Sequence, residues 1–93
     1  MATAKARHIL VQTLKECEDL LKKIKGGEDF AELAKKYSKC PSGKQGGFLG
    51  EFSQGDMVKE FDEVVFKKEI NAVHGPIKTQ FGYHLLEIME RND

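Results

Sequence analysis

Residues 6–11 read A-R-H-I-L-V and predict the strand from which the rest of the fold is organised. The β-branched and apolar residues at the end of this run favour extended backbone. Because side chains alternate along a strand, the run has two faces, which are Ala6, His8 and Leu10 on one side and Arg7, Ile9 and Val11 on the other. A helix follows directly, since Thr13 and Glu16 have the spacing of a capping box. A strand that leads straight into a helix indicates a mixed fold.

Two amphipathic helices are predicted after this strand. The first ends at Gly26-Gly27, and the second runs from Asp29 to about Tyr37. Apolar residues recur at helical spacing in both, namely Leu14, Cys17, Leu20, Leu21 and Ile24, and then Phe30, Leu33, Ala34 and Tyr37. Each helix therefore presents one apolar face to a core.

The second half of the chain predicts three more strands and one helix. A turn-rich loop, residues 38–47, precedes a short strand from Phe48 to Phe52. Asp56 is predicted to cap a third helix over residues 58–67, which carries Met57, Phe61, Val64 and Val65 along one side. Residues 69–73 are ambiguous, residues 75–78 predict an edge strand that tolerates a proline, and residues 83–90 predict the longest strand. The order β-α-α-β-α-β-β indicates an α+β fold with a small, mostly antiparallel sheet.

Composition excludes several classes of protein. The 93 residues include 15 basic and 15 acidic side chains, so no excess positive charge predicts binding to nucleic acid or to a membrane surface. No apolar run approaches the roughly 20 residues that cross a bilayer. The length predicts a single domain over residues 1–93. Without a signal peptide, we expect a cytoplasmic protein in which Cys17 and Cys40 are reduced thiols.

Two histidines and one cysteine are candidates for a site. His8 and His84 lie at opposite ends of the chain, each on an apolar strand face, and we expect them to meet across adjacent strands. Taken singly, such a histidine is more often a buried structural residue than a ligand. Cys40 lies in the loop and is either an ordinary thiol or a nucleophile. A zinc site made by these three residues is a weaker alternative, because no paired ligand spacing supports it.

Five fragments in order resemble the parvulin family of peptidyl-prolyl cis/trans isomerases. They are H-I-L-V at 8–11, C-P-S-G-K-Q-G-G-F-L-G-E-F at 40–52, Q-G-D-M-V-K-E-F at 54–61, G-P-I-K-T-Q-F-G-Y-H at 75–84 and the strand that follows. The resemblance covers about residues 5–91. It implies a four-stranded, mostly antiparallel sheet wrapped by three to four helices, as in parvulin and FKBP-like folds.

The resemblance also implies roles for individual residues. The catalytic set would be His8, Cys40, Thr79 and His84, with Thr79 hydrogen-bonded within the histidine network. The pocket for the proline ring would be formed by Leu49, Met57 and Phe61, with Phe81 near its rim. From spacing alone, Met57 and Phe61 fit core packing as well as a pocket. Neither a metal ion nor another cofactor is implied.

The phosphate-directed branch of the family has a longer, Arg- and Lys-rich loop after the first strand. Here only Gln12 and Thr13 connect strand and helix, so the sequence predicts a parvulin that is not phospho-specific. We expect a monomer that isomerises X–Pro bonds in peptides and unfolded proteins without covalent catalysis. An apolar or small residue should precede the proline. The alternative is a chaperone or adaptor module that binds proline-containing segments with little turnover.

Overall fold

The computed structural model describes residues 2–92, which contain four strands, three α-helices and one 3₁₀ helix. In chain order they are β1 (Thr3–Val11), α1 (Leu14–Lys25), α2 (Phe30–Tyr37), a 3₁₀ helix (Pro41–Gln45), β2 (Phe48–Ser53), α3 (Lys59–Val65), β3 (Val73–Thr79) and β4 (Gly82–Asn92). No helix among these residues is long and apolar enough to span a bilayer.

The strands form one sheet in the order β2-β1-β4-β3. All three pairings are antiparallel, which confirms the predicted α+β fold with a four-stranded antiparallel sheet. The chain's first and last strands lie side by side at the centre, with His8 opposite Leu86 and Leu10 opposite His84. Pro76 lies on β3, an edge strand, as predicted.

Two hydrophobic clusters cover the two faces of the sheet. On the face covered by α1 and α2, the core consists of Ile9, Val11, Cys17, Leu20, Phe30, Leu33, Ala34 and Leu85. On the face covered by α3, it consists of Ala4, Ala6, Phe52, Phe61, Val65 and Leu86. We call these the α1/α2 face and the α3 face. Because β1 and β4 are central, their alternate residues contribute to both cores.

Side chains cap the N-termini of the first two helices, and the cap predicted at Thr13 is confirmed. Thr13 Oγ1 accepts a hydrogen bond from the backbone N–H of Glu16 at 3.2 Å. Asp29 Oδ2 accepts one from the N–H of Glu32 at 3.0 Å. These bonds satisfy donors that a helix start leaves without an intrahelical partner.

The third helix differs from its prediction. It covers Lys59–Val65 rather than residues 58–67, and Val58, with extended backbone, occupies the cap position without a side-chain bond. Asp56 is not the cap, because its Oδ2 accepts from the N–H of Ser53 in the preceding turn at 2.9 Å. Met57 therefore lies before the helix and not on it. In α1, Leu14 is 45% exposed despite its place in the apolar stripe.

Strand boundaries were predicted too short. β1 begins at Thr3 rather than Ala6, because residues 3–5 pair with both β2 and β4. β3 begins at Val73 rather than Gly75 for the same reason, since Val73 pairs with Glu87. Pairing across a sheet extends a strand beyond the residues whose own preferences are clear. The 3₁₀ helix inside the predicted loop begins at Pro41, whose fixed φ suits the first helical position.

Candidate active site

The two strand histidines meet across the central pair of strands. His8 Nδ1 lies 3.1 Å from His84 Nδ1, and the rings are nearly parallel, with centroids 5.3 Å apart. His8 is 4% exposed and His84 3% exposed. The register explains the contact. His8 lies opposite Leu86, two residues from His84, and both histidines point to the α3 face. Pairing of the first and last strands thus brings together two residues separated by 76 positions in the sequence.

A buried hydroxyl holds the far side of His84. Thr79 Oγ1 lies 2.7 Å from His84 Nε2, and it accepts a hydrogen bond from the N–H of Phe81 at 3.1 Å. Because one backbone donor already fills an acceptor position of this oxygen, its own proton is free to bind the imidazole. Thr79 therefore fixes the orientation of the His84 ring through Nε2, the nitrogen that does not contact His8.

The chain of hydrogen bonds continues from His8 to Cys40. His8 Nε2 lies 3.1 Å from Ser42 Oγ, and Ser42 Oγ donates to Cys40 Sγ at 3.3 Å. Since the Ser42 proton goes to sulfur, Ser42 accepts from a protonated Nε2 of His8. The bare Nδ1 of His8 then accepts from Nδ1–H of His84, whose Nε2 accepts from Thr79. One set of neutral tautomers satisfies every bond in the chain.

Burial keeps both imidazoles neutral. Burial, with a smaller contribution from the neighbouring His84, lowers the pKa of His8 to about 4. Burial also lowers the pKa of His84 to about 4. A charged imidazolium here would lose its hydration without gaining an anionic partner. At neutral pH the pair therefore forms a hydrogen-bonded polar surface with no net charge, which we call the floor of the site.

An apolar cavity of about 350 Å³ opens above this floor on the α3 face. Its lining consists of His8, Leu10, Lys39, Cys40, Pro41, Leu49, Met57, Val58, Phe61, Phe81 and His84. Phe61 presents its ring edge-on to both histidines, with centroids 5.5 Å from His8 and 4.6 Å from His84. The cavity joins apolar walls to a neutral imidazole floor, which suits a small apolar ring attached to a polar backbone.

Backbone and side-chain bonds fix the loop that carries Cys40 to β1. Ser38 Oγ accepts from the N–H of Leu10 at 3.1 Å and from the N–H of Cys40 at 3.3 Å. The carbonyl of Gly47 accepts from the N–H of His8 at 2.9 Å. Gly47 has φ 85°, and a Cβ there would overlap the carbonyl oxygen of His8. The position requires glycine, because only glycine permits both this φ and this approach.

The structure brings seven of the eight predicted site residues to the cavity wall. They are His8, Cys40, Leu49, Met57, Phe61, Phe81 and His84. Thr79 lies behind His84 and does not line the cavity. Phe81 is at the rim, where it is 56% exposed.

Sequence reasoning missed Ser42, which links Cys40 to His8, and Ser38, which fixes the loop. It also missed four wall residues, which are Leu10, Lys39, Pro41 and Val58. The spacing S-K-C-P-S places a serine two residues on either side of Cys40, and serines in turns commonly bond to nearby backbone. That signal marks a structured loop, but it does not reveal a bond to a histidine 34 residues away.

The arrangement gives no support to the zinc alternative. Among residues 2–92, no group of three or more His, Cys, Asp or Glu side chains is placed to hold a metal ion. The two Nδ1 atoms face one another in a hydrogen bond instead. Cys17 and Cys40 are both free thiols in the structure.

Comparison with protein families assigns the chain to a family. Residues 1–92 match the family model described as the PPIC-type PPIASE domain. The chain therefore belongs to the PPIC-type family of peptidyl-prolyl cis/trans isomerases. The class that the sequence motifs indicated, an isomerase of the parvulin type, is confirmed.

Relatives place the same unit in proteins of different length. The foldase protein PrsA of Geobacillus sp. (strain WCH70) is 43% identical over 90 residues, which are 96% of this chain and 33% of PrsA. The chain thus spans about a third of the length of the PrsA relatives that it matches.

Two solved structures show the same contrast. The structure of PrsA from Bacillus anthracis has a TM-score of 0.95 and 35% identity, and the match covers 99% of this chain and 43% of that one. The parvulin NmPin of Nitrosopumilus maritimus has a TM-score of 0.85 and 40% identity, and the match covers 97% of this chain and 98% of that one.

Proposed function

We propose that this chain accelerates rotation about X–Pro bonds without forming a covalent intermediate, and that residues 1–93 act as one isomerase unit with a core at about 5–91. The observation that carries the proposal is the apolar cavity closed below by the hydrogen-bonded His8–His84 pair. Its chemistry suits the reaction, which breaks no bond. Proline-containing peptides and unfolded or partly folded proteins are the proposed substrates.

The reaction requires a twisted amide. The barrier to rotation is about 18–20 kcal/mol, because the planar amide is stabilised by resonance. An enzyme lowers this barrier by binding the twisted form more tightly than the planar one. Leu49, Met57 and Phe61 would hold the proline ring while the residue before it rotates.

The polarity of the cavity favours the same outcome. Transfer of the X–Pro amide from water to an apolar wall removes hydrogen bonds that stabilise the charge-separated planar form. The neutral histidines add no charge that would reverse this effect. Cys40 provides a polar edge on the cavity wall, where its thiol can donate a hydrogen bond to the rotating carbonyl oxygen or to the more basic prolyl nitrogen.

The contacts of Cys40 favour the noncovalent route. A cysteine nucleophile needs a base within hydrogen-bonding distance. Here the imidazole nearest in the chain of bonds, His8, contacts Ser42 Oγ rather than Cys40 Sγ. The sulfur accepts a hydrogen bond from Ser42, so we assign it an electrostatic role.

A neutral residue before proline is the preferred substrate. A phosphate at that position would need several cationic donors. The chain has two arginines. Arg7 pairs with Glu87, and Arg91 donates to the carbonyls of Val65 and Lys68. Neither lies in the short connection between β1 and α1, and Lys39 alone among the described lysines and arginines lines the apolar cavity, so several cationic donors are not present there. We therefore propose an apolar or small residue at this position.

The chain is proposed to act as a cytoplasmic monomer. Its two thiols are unpaired, and a reducing compartment keeps them so. Fractionation of the source cells tests the compartment, and sedimentation equilibrium of the purified chain tests the oligomeric state. A periplasmic or extracellular location, or a dimer at micromolar concentration, would refute the respective proposal.

Exchange NMR on an Ala-Leu-Pro-type peptide tests the activity, with Met57→Ala and Met89→Ala as a matched pair. Met57 lines the cavity, whereas Met89 is 40% exposed on β4 and does not. Met57→Ala should lower kcat/KM by about tenfold or more, because it removes a contact with the substrate's proline ring. Burial of an apolar side chain contributes roughly 1.5–3 kcal/mol of binding free energy. Met89→Ala should leave kcat/KM unchanged.

The same experiment separates an isomerase from a binding module. Chemical-shift titration that shows peptide binding, without acceleration of exchange, would establish the adaptor alternative. Equal activity in both methionine variants would place the proline pocket elsewhere.

A further inference from the structure

A second cavity shares a wall with the apolar one. It also has a volume of about 350 Å³, and it is lined by Lys35, Ser38, Lys39, Cys40, Pro41, Gly43 and Lys44. Lys39, Cys40 and Pro41 line both cavities. We call this second cavity the basic groove. A peptide that places its proline in the apolar cavity passes into the basic groove if its chain crosses Cys40.

The charge of the basic groove is one-sided, although the whole chain is neutral. Three lysines line it, and within residues 2–92 its lining contains no Asp or Glu. Lys35 has one carboxylate near it, with Nζ 3.8 Å from Glu32 Oε1. In the described part of the chain, neither Lys39 nor Lys44 forms an ion pair.

Helix stability explains only part of this cluster. Lys35 lies in the last turn of α2, where a cation complements the helix dipole. Lys39 lies in the loop beyond that helix, and Lys44 lies in the short 3₁₀ helix that follows Cys40. Their ammonium groups are exposed at the edge of the reaction site without a carboxylate of the described chain to neutralise them.

We propose that the basic groove is an extended substrate subsite that selects peptides with a Glu or Asp near, but outside, the X–Pro pair. The proposal rests on the proposed isomerase function. The X–Pro pair itself occupies the apolar cavity, so the carboxylate belongs to a residue farther along the peptide. Lysines act as point charges on flexible stems, which tolerates either acidic side chain and a range of positions.

Matched peptides test the subsite. Each pair has the same X–Pro sequence and differs by Glu or Gln at one position, two or three residues from the proline on either side. Titration gives Kd and exchange NMR gives kcat/KM, both at low salt and at about 0.5 M salt. At one or more positions on one side, the Glu peptide should bind about three- to tenfold more tightly at low salt, as expected for two or three exposed charge pairs. High salt should reduce this preference, because it screens exposed charges.

Two triple variants identify the lysines responsible. K35Q/K39Q/K44Q removes the charges of the basic groove and should bring the Glu-to-Gln ratio to about one. K22Q/K25Q/K67Q removes the same net charge from exposed lysines outside both cavities, and it should keep the ratio. Circular dichroism checks that both variants fold.

The outcomes separate this inference from the proposed function. Equal Kd values for Glu and Gln peptides at every position would overturn the subsite while isomerisation of neutral peptides continued. Equal loss of the ratio in both triple variants would also overturn it, since general electrostatic attraction would then be the cause. Tighter binding of Glu peptides without any accelerated exchange would support the subsite and refute the isomerase.

Discussion

The sheet has one closed face and one open face. On the α1/α2 face, two helices cover Ile9, Val11 and Leu85, all of which are fully buried among apolar neighbours. On the α3 face, the seven-residue α3 covers only part of the strands, and the rest is the apolar cavity above His8 and His84. Alternate residues of the same two central strands therefore supply stability on one side and a site on the other.

The open face tolerates polar residues because each has a partner. Among the described residues, no buried side-chain nitrogen or oxygen lacks a hydrogen bond. A buried polar group without a partner costs about 1–3 kcal/mol, whereas a bonded one costs little. The chain from Thr79 to Cys40 therefore lets a polar floor exist inside an apolar face. The closed face needs no such network.

Two matched phenylalanines give the largest expected contrast. Phe30 on the closed face is 3% exposed and Phe61 on the open face is 4% exposed. Substitution of either by Ala should lower the free energy of unfolding by about 3–5 kcal/mol, because both leave a cavity in a core. Phe61→Ala should also lower kcat/KM by tenfold or more, measured well below Tm, whereas Phe30→Ala should not.

If the Ala variants unfold, Phe61→Leu and Phe30→Leu preserve the comparison with a smaller loss of volume. Parallel losses of stability with equal activity in the two variants would contradict the division between the faces. Thermal unfolding and exchange NMR on the same samples provide both quantities.

The sequence predicted this division only in part. Periodicity was sufficient for α1, α2 and the core of β4, because each carries a long repeat of apolar residues. It failed at Asp56 and Met57, where the turn that begins at Ser53 takes the carboxylate and delays the helix to Lys59. The Asp56 carboxylate can either cap the helix or bond to the turn at Ser53. Packing of the whole chain decides between these two bonds, and a short stretch of sequence does not show that packing.

Site residues could be predicted where the residue type and its place on a strand indicate the role. They could not be predicted where the role depends on a contact between residues far apart in the sequence. Two histidines on strand faces were enough to predict that they meet. Ser42 was not identified, since its role depends on the 3₁₀ helix at Pro41–Gln45 that turns its hydroxyl toward His8. The lysines of the basic groove were not identified as a cluster, because only the fold brings Lys35 beside Lys44.

Breaking the histidine pair should have the next largest effect. His8→Ala leaves one nitrogen of His84 without its partner, so the free energy of unfolding should fall by about 1–3 kcal/mol, together with kcat/KM. His84→Ala should act likewise. The double variant His8→Leu/His84→Leu should recover part of the lost stability, because no orphan imidazole remains. A single variant that keeps its full Tm and loses all activity would instead indicate a direct chemical role for that histidine.

Acid should weaken the open face through the same pair. Both histidines have a folded-state pKa of about 4, lowered by burial, against 6.5 as the ordinary value. Between these values the unfolded chain binds more protons than the folded one, so stability rises with pH. The stabilisation is fully present above about pH 6.5 and is lost as pH falls to about 4.

We expect Tm to fall by about 8 °C or more over this range, because a loss of only about 2 kcal/mol lowers Tm by about 8–16 °C in a domain of this size. The fall should be smaller in the double variant His8→Leu/His84→Leu, which lacks both buried imidazoles. Equal slopes of Tm against pH in the two proteins would contradict the assignment of neutral buried histidines.

The two cysteines provide the finest comparison between the faces. Cys17 is fully buried on the α1/α2 face, where burial, with a smaller contribution from Glu18, raises its pKa to about 11. Cys40 is half-buried at the wall of the cavity. Iodoacetamide should therefore alkylate Cys40 in the native protein and leave Cys17 unmodified, because the thiolate is the reactive form and must be accessible. Mass spectrometry of tryptic peptides identifies the labelled residue.

Substitution should then separate packing from chemistry. Cys17→Ala should lower the free energy of unfolding by about 1 kcal/mol, the cost of a small cavity, and leave kcat/KM unchanged. Cys40→Asp should keep substantial activity, because a carboxylate oxygen accepts the hydrogen bond of Ser42 as the sulfur does. Cys40→Ser, whose hydroxyl is a weaker acceptor than a carboxylate, should keep some activity. A covalent mechanism requires near-complete loss of activity in both Cys40 variants, since neither a carboxylate nor a hydroxyl replaces a thiolate nucleophile. Measurement of kcat/KM for the two variants therefore decides whether the open face acts through its polarity or through a covalent bond to the substrate.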